Sequence, residues 1–370
     1  MDLKPTSELL LRNVHALHGR NVLVVDSPGG EIAPVLHDHQ PAADIVLWQS
    51  DYADFRHACR LAGAPPCPKP IPGHLAAGRW PIVFDAWYHK QAQPHDLSIV
   101  YLPKGRDRLR LLLSCVSAAT EPDGRILLVG PKRGGIRSAR QDLEAEFGHA
   151  EPLDAARHCA LLAAQRPAEQ PSGQTRPTDL RDFGVECSLE AAGVPLRLSS
   201  YPGVFSHGRL DDGTQMLLQT LERPLPGPVL DFGCGCGVIG TWLARRWPDT
   251  LVDMVDSDAL ALAAAQRTVE LNGLSAGLWA SDVLSDVDGG YGAIVSNAPF
   301  HHGVETETRL AKRLFREAAA RLRPGGILRI VANRFLRYPA LLKAVFGSCR
   351  IVSEDSRYRV YEAPAAVRGP

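Results

Sequence analysis

Val229-Leu230-Asp231-Phe232-Gly233-Cys234-Gly235-Cys236-Gly237-Val238-Ile239-Gly240 is an apolar run, an acid and a glycine-rich turn that opens into a helical pattern. Glycines let a turn adopt positive φ and bring backbone close to a ligand, and the helix that follows offers free N–H groups. The stretch therefore reads as a strand, a loop for a nucleotide-like cofactor, and a helix running through Trp242, Leu243 and Ala244 to the break at Pro248. Gly235 to Gly240 also satisfies the Gly-x-Gly-x-x-Gly dinucleotide pattern, which alone is a weak signal. Asp231 favours S-adenosylmethionine. Two residues before the first glycine, its carboxylate can meet an ammonium directly or through water and would repel a pyrophosphate. Gly233, Gly235 and Gly237 complete this part of the expected cofactor site.

Working outward, the run Leu251 to Asp256 predicts a second strand that ends in an acid about twenty residues past the loop, where a carboxylate bridges ribose hydroxyls. The pattern from Asp258 to Leu271 predicts a helix with Leu262, Ala265 and Val269 on one face, ended by Asn272-Gly273, and Asp258 reads as its N-cap. After a third strand near Gly277–Ala280, Asp282 and Val283 offer a side-chain acceptor and a backbone N–H to the edge of adenine.

The fourth strand, Ala293–Ser296, runs into Asn297-Ala298-Pro299-Phe300-His301-His302-Gly303. Ligands of open α/β sheets bind beyond the carboxyl ends of the strands, so this turn should face the glycine loop. An exocyclic amine on a purine is a poor nucleophile because its lone pair is delocalised into the ring, and it needs acceptors on its hydrogens. The side-chain carbonyl of Asn297 and the backbone carbonyl of Ala298 can supply them before Pro299, with Phe300 stacked on the base. His301 and His302 are expected to touch base, phosphate or loop. Adjacent histidines point apart, no other ligand stands at metal spacing, and no metal is expected. Cys234 and Cys236 read as small packing residues.

Length and composition set the frame. A chain of 370 residues suits two domains. Lys+Arg and Asp+Glu are both 41, which removes any global attraction to nucleic acid. Contacts to RNA must be local, with Lys132, Arg133, Arg137, Arg140 and Arg309, Lys312, Arg313, Arg316 as candidates, although such clusters are most often solvated faces. The 8 cysteines form no Cys-x-x-Cys pair, and no secretory leader is apparent, so thiols, a reducing compartment and a cytoplasmic monomer are expected. No apolar run approaches the roughly 18 residues of a membrane span.

The stretch Gln165 to Asp182 is rich in Pro, Gln, Ser, Thr and Gly and lacks apolar periodicity, which predicts domains at 1–165 and 183–370 joined by a linker at 166–182. Apolar runs alternate with helical patterns on both sides, so the fold class is α/β, two tandem Rossmann-like domains with mostly parallel sheets. Val22–Val25, Ile99–Lys104 and Pro122–Val129 parallel Val229–Phe232, Ile294–Pro299 and Pro324–Val331, which suggests an internal duplication. The first copy has Asp26-Ser27-Pro28-Gly29-Gly30 in place of the full glycine loop and Leu102-Pro103-Lys104-Gly105 in place of Asn297-Ala298-Pro299-Phe300.

These motifs together resemble the RsmC type of small-subunit ribosomal RNA guanine-N2 methyltransferase, with the large-subunit RlmG type next. The resemblance rests on Pro202-Gly203-Val204-Phe205-Ser206, Leu210-Asp211, Gly213-Thr214-Gln215, the Asn297–His301 turn with Gly303, the tail Ile330–Pro339, and Leu102-Pro103-Lys104 with Val129–Gly135 in the first half. It implies two class I methyltransferase domains with seven-stranded sheets, the first degenerate and supporting folding and RNA binding. It also implies S-adenosylmethionine as cofactor and 16S rRNA, in the assembled small subunit, as partner. Ala298 departs from the family's first proline; Pro299 still biases residue 298 toward extended geometry. A catalytically weak assembly factor, a 23S rRNA enzyme and a nicotinamide-dependent oxidoreductase remain as alternatives.

Overall fold

The computed structural model describes residues 3–65, 67–88, 93–168, 177, 179–297 and 304–366. The chain forms two compact units, one of residues 1–67 and 72–184, the other of Pro68–Ile71 with Val185–Pro370.

The first unit holds strands β1 (Asn21–Val25), β2 (Asp44–Gln49), β3 (His74–Ala76), β4 (Ile82–Phe84), β5 (His95–Tyr101), β6 (Thr120–Pro131), β7 (Ala150–Asp154) and β8 (Cys159–Gln165) in the order β3-β4-β2-β1-β5-β6-β8-β7. The second holds a hairpin of β9 (Val185–Ala191) and β10 (Val194–Ser200), then β11 (Val229–Phe232), β12 (Val252–Asp256), β13 (Gly277–Ala280), β14 (Tyr291–Ser296), β15 (Leu322–Asn333), β16 (Arg350–Glu354) and β17 (Tyr358–Pro364). Its main sheet runs β13-β12-β11-β14-β15-β17-β16, parallel except where β17 pairs with β15 and β16. Remove β3 and the two orders coincide. Among the described residues the first sheet thus has eight strands where seven are expected, because the three-residue β3 lies antiparallel along the otherwise open edge of β4.

Central strands covered on both faces must be apolar throughout, and all six residues of β14 are buried. Leu230, Val255, Ile294 and Leu328 on the strands pack with Leu314, Phe315, Tyr338 and Leu342 on helices Val304–Arg321 and Tyr338–Phe346. The predicted helix after β12 is Ala259–Leu271; the Asp258 carboxylate accepts from Leu260 N at 3.0 Å, and the chain leaves through Gly273 at φ 64°. The β9–β10 hairpin was not foreseen. Ala192 at φ 43° and Gly193 at φ 78° make its tight turn, and Trp242 Nε1 donates to the Ala191 carbonyl, fastening the hairpin to the helix that follows the glycine loop. Among the described residues no helix is long and apolar enough to cross a membrane.

One buried ion cluster ties the far edge of the second sheet. Glu362 on β17 accepts from Arg329 Nε at 3.0 Å and from Arg350 Nε at 2.8 Å, and Arg329 also donates to the Thr220 carbonyl. Burial alone would raise the Glu362 carboxyl, but the two guanidinium groups outweigh it and hold the pKa below its usual value. Glu362→Gln leaves the Arg329 charge buried without its counterion and should cost about 3 kcal/mol. Urea unfolding of the variant measures this, and a loss under about 1 kcal/mol would show that Arg329 finds solvent easily.

Candidate active site

Strands β12, β11, β14 and β15 are parallel neighbours, so the segments that follow them share one edge of the sheet. After β11 the chain passes through Gly233, Gly235 and Gly237 at φ 65°, 55° and 79°, a left-handed series that side chains rarely adopt. Gly233 N and Cys234 N donate to the Val255 carbonyl at 2.9 and 3.0 Å, which holds the loop against β12. Helix Val238–Arg246 begins immediately and lies close on the sheet: a Cβ at Gly240 would fall 2.4 Å from Met254 Sδ.

Asp231 lies fully buried beneath this loop. Its Oδ2 accepts from Gly240 N at 2.8 Å and its Oδ1 has no partner among the described residues. Burial, with the charge of Asp256 adding, raises its pKa to about 7 against the opposing Gly240 N–H bond. Asp231 therefore supports the start of the helix from below, and any ammonium contact falls to the unpartnered Oδ1. Asp256 accepts from Gly235 N at 2.9 Å through Oδ2 and from Asp258 N at 3.0 Å through Oδ1. Burial pushes it up to about 6 in spite of those bonds. Each oxygen keeps a second lone pair for a hydroxyl. A buried acceptor left unsatisfied next to a row of left-handed glycines fits a cofactor that carries an ammonium and a ribose. Burial pushes the Cys236 thiol up to about 12 and Cys234 well above its ordinary value, so both stay protonated.

Asp282 is occupied differently from expectation. Its Oδ1 and its carbonyl are both held by Arg313, at 2.8 Å each, and Arg313 Nε donates to Glu317 Oε1 at 2.7 Å while Glu317 Oε2 accepts from Leu284 N at 2.8 Å. Arg313 and Glu317, one helical turn apart, thus grip the turn that contains Val283. Val283 stands at φ 55°, a strained conformation for a β-branched residue that this grip maintains. Arg313, counted from the sequence among possible RNA contacts, is engaged inside the protein. Arg316 is turned back onto the Lys312 carbonyl.

At the end of β14, Asn297 Nδ2 donates to Asp211 Oδ2 at 2.7 Å and to Thr214 Oγ1 at 2.8 Å. Asp211 is the N-cap of helix Asp212–Gln219, and the same Oδ2 accepts from Thr214 N at 2.9 Å. A carboxylate only accepts, so the amide must turn its nitrogen toward Asp211; both N–H bonds are then used and Oδ1 is the end left over. In the sequence Asp211 and Thr214 stand within the motifs that carry the resemblance, with no role of their own. The signal was available: an acid three residues before a threonine at a helix start. Ala298, Pro299, Phe300, His301 and His302 lie outside the described residues.

The same positions in the first unit are filled. Val24 stands where Asp231 does, and Gln49 replaces Asp256 and donates to the Ser27 carbonyl at 2.9 Å. His57 bonds the Gly29 carbonyl at 2.8 Å, Ala58 packs under Gly30, and Leu102 stands in the place of Asn297. The first loop is packed against by side chains of β2 and of the helix Tyr52–Ala62.

A glycine loop backed by two buried acids, on the sheet edge that also carries an amide fixed through its nitrogen, suits an S-adenosylmethionine-dependent methyltransferase. Residues 195–362 match the family described as Methyltransferase small domain, and residues 76–177 match Methyltransferase small domain N-terminal. The ribosomal RNA small subunit methyltransferase C of Hahella chejuensis is 38% identical over 98% of this chain and 98% of its own length, and that of Colwellia psychrerythraea is 32% identical over the same shares. A solved structure described as the Thermus thermophilus 16S rRNA N2 G1207 methyltransferase (RsmC) in complex with AdoMet and guanosine superposes with a TM-score of 0.81 at 25% identity, covering 98% of this chain and 92% of that one. The chain belongs to the ribosomal RNA small subunit methyltransferase C family.

The raised carboxyl pKa values have a testable sign. A folded-state carboxyl at about 7 is protonated where the unfolded one is ionised, so stability of the free protein falls as pH rises toward 7. An incoming ammonium reverses the preference, because it favours the ionised form. Affinity for S-adenosylmethionine should therefore tighten, on the order of tenfold, between about pH 5.5 and about pH 7, where an α-amino group stays mostly protonated. Calorimetry at both pH values measures it, with Asp231→Asn expected to flatten the profile; an equal affinity at the two pH values in the natural protein would contradict the assignment.

Proposed function

We propose that the second unit transfers the methyl group of S-adenosylmethionine to the exocyclic N2 amine of a guanine in 16S rRNA, with the assembled small ribosomal subunit as substrate. The orientation of the Asn297 amide carries this reading, and the Thermus protein described with guanosine supports the choice of base. The bound cofactor supplies an electrophilic methyl carbon on a sulfonium. Asn297 Oδ1 accepts one N2 hydrogen and the Ala298 carbonyl the other, which aims the nitrogen lone pair at that carbon, while Phe300 stacks on the guanine ring. His301 and His302 contact the base or the adjoining phosphate. Asp231 holds the helix start and takes the ammonium, Asp256 takes the ribose hydroxyls, and the turn at Asp282 and Val283 receives the adenine. The amine gains acidity as it becomes methylated, so its proton passes to water after transfer and no strong base is needed.

In this reading residues 183–370 form the catalytic domain and 166–182 a connector, the first domain supports folding and RNA binding, and the protein works as a cytoplasmic monomer.

Asn297→Ala removes an orientation that matters only while the amine attacks. It should lower kcat for methylation of unmodified small subunits by about two orders of magnitude and leave the affinity for S-adenosylmethionine within about twofold. Single-turnover methyl transfer and calorimetry separate the two effects. An equal loss in both would place Asn297 in the cofactor site instead.

A further inference from the structure

Three residues beyond Ile330, which pairs with Ser296, β15 ends at Asn333 and the chain turns through Arg334-Phe335-Leu336-Arg337 before helix Tyr338–Phe346. Asn297 follows Ser296 directly, so at about 3.3 Å per residue the end of β15 stands about 7 Å further out along the same edge. The turn is anchored at both ends. Leu336 N donates to the Asn333 carbonyl at 3.0 Å, Leu336 packs against the core, and Tyr338 is buried edge-on to Phe315 with ring centroids 5.4 Å apart. Between these anchors Phe335 is 73% exposed. Its exposure follows from a fixed turn and not from a frayed end.

The surroundings of Phe335 are cationic and continuous with the amide site. Arg334 and Arg337 flank it and are exposed, and Arg334 N donates to the Arg357 carbonyl at 2.8 Å. The Arg357 guanidinium pairs with Asp212 and lies 5.3 Å over the Tyr358 ring, and Tyr358 packs on Gly213, two residues from Asp211. Contacts therefore run from the Arg334 backbone, next to Phe335, through Arg357 and Tyr358 to Asp212 and Gly213 at the start of the helix that Asp211 caps. An apolar ring left in water, with an exposed arginine before it and another two residues after it and Arg334 donating to the Asp355 carbonyl at 3.3 Å, on the edge where a base must enter, matches the chemistry of single-stranded RNA: stacking on a π-face and neutralisation of the neighbouring phosphates.

We propose that Phe335, with Arg334 and Arg337, is a contact for the RNA strand next to the modified guanine, the ring stacking on a flanking base. This rests on the reading that the substrate is rRNA. The test uses the full-length protein and small subunits from cells that lack the methylation. Phe335→Ala should raise KM for those subunits about tenfold with kcat and cofactor affinity within about twofold, Phe335→Trp should restore KM, and Arg334→Ala with Arg337→Ala should reduce the salt dependence of binding. With p-benzoylphenylalanine at position 335, irradiation should give a crosslink to 16S rRNA. A KM unchanged in Phe335→Ala, or a crosslink confined to a ribosomal protein, overturns the proposal. Failure of the unaltered protein to methylate the subunits would instead sink the reading beneath it.

Discussion

The hydrogen bonds from Asn297 Nδ2 to Asp211 and Thr214 are the constraint on which the catalytic account depends. A free amide can present either end, and only one end accepts. Placing a carboxylate against the nitrogen removes the choice, since the flipped amide would set two oxygens against each other in a partly buried site. The same carboxylate caps a helix, so the group that fixes the amide is itself fixed by the backbone of Thr214. The amide is thus oriented within the protein itself, and under the proposed function little of the binding energy of the base is spent on orienting it.

The cofactor side follows a related logic with a different cost. Asp231 and Asp256 are pushed up to about 7 and about 6 chiefly by burial, and their charges oppose each other across the glycine loop. The free protein carries that penalty and a cation relieves it. At the neighbouring turn, Val283 is held at positive φ by the Arg313–Glu317 grip on residues 282–284. That grip comes from the helix Val304–Arg321, which begins just past the segment from Asn297 to Gly303. One helix therefore follows the segment proposed to hold the base and also grips the turn proposed to take the adenine.

How much of this was legible in the sequence depends on the range of each interaction. The glycine loop, the strand that ends at Asp256, the helix N-capped by Asp258 and the run into Asn297 are local patterns, and the structure shows those elements at those places. The repeated strand order was readable from the paired segments, but β3 was not, because a three-residue edge strand has too few residues for an alternating pattern. Long-range pairings were invisible. Nothing in the sequence near Arg313 distinguishes a solvated charge from one that closes on Asp282, 31 positions away. The separation of 86 positions between Asp211 and Asn297 likewise hides the interaction that matters most. Residues 298–302 carry the remainder of the expected base site and lie outside the described region.

The most direct test is a double-mutant cycle on the amide and its hydroxyl acceptor. Thr214→Val keeps shape and removes the acceptor, whereas Thr214→Ser keeps it. If Thr214 acts by aiming Asn297, Thr214→Val should lower kcat about tenfold when residue 297 is Asn and by less than about twofold when it is Ala, with Thr214→Ser close to the natural protein. The same fold loss in both backgrounds, or none in either, would mean that the amide is not held for catalysis by these bonds.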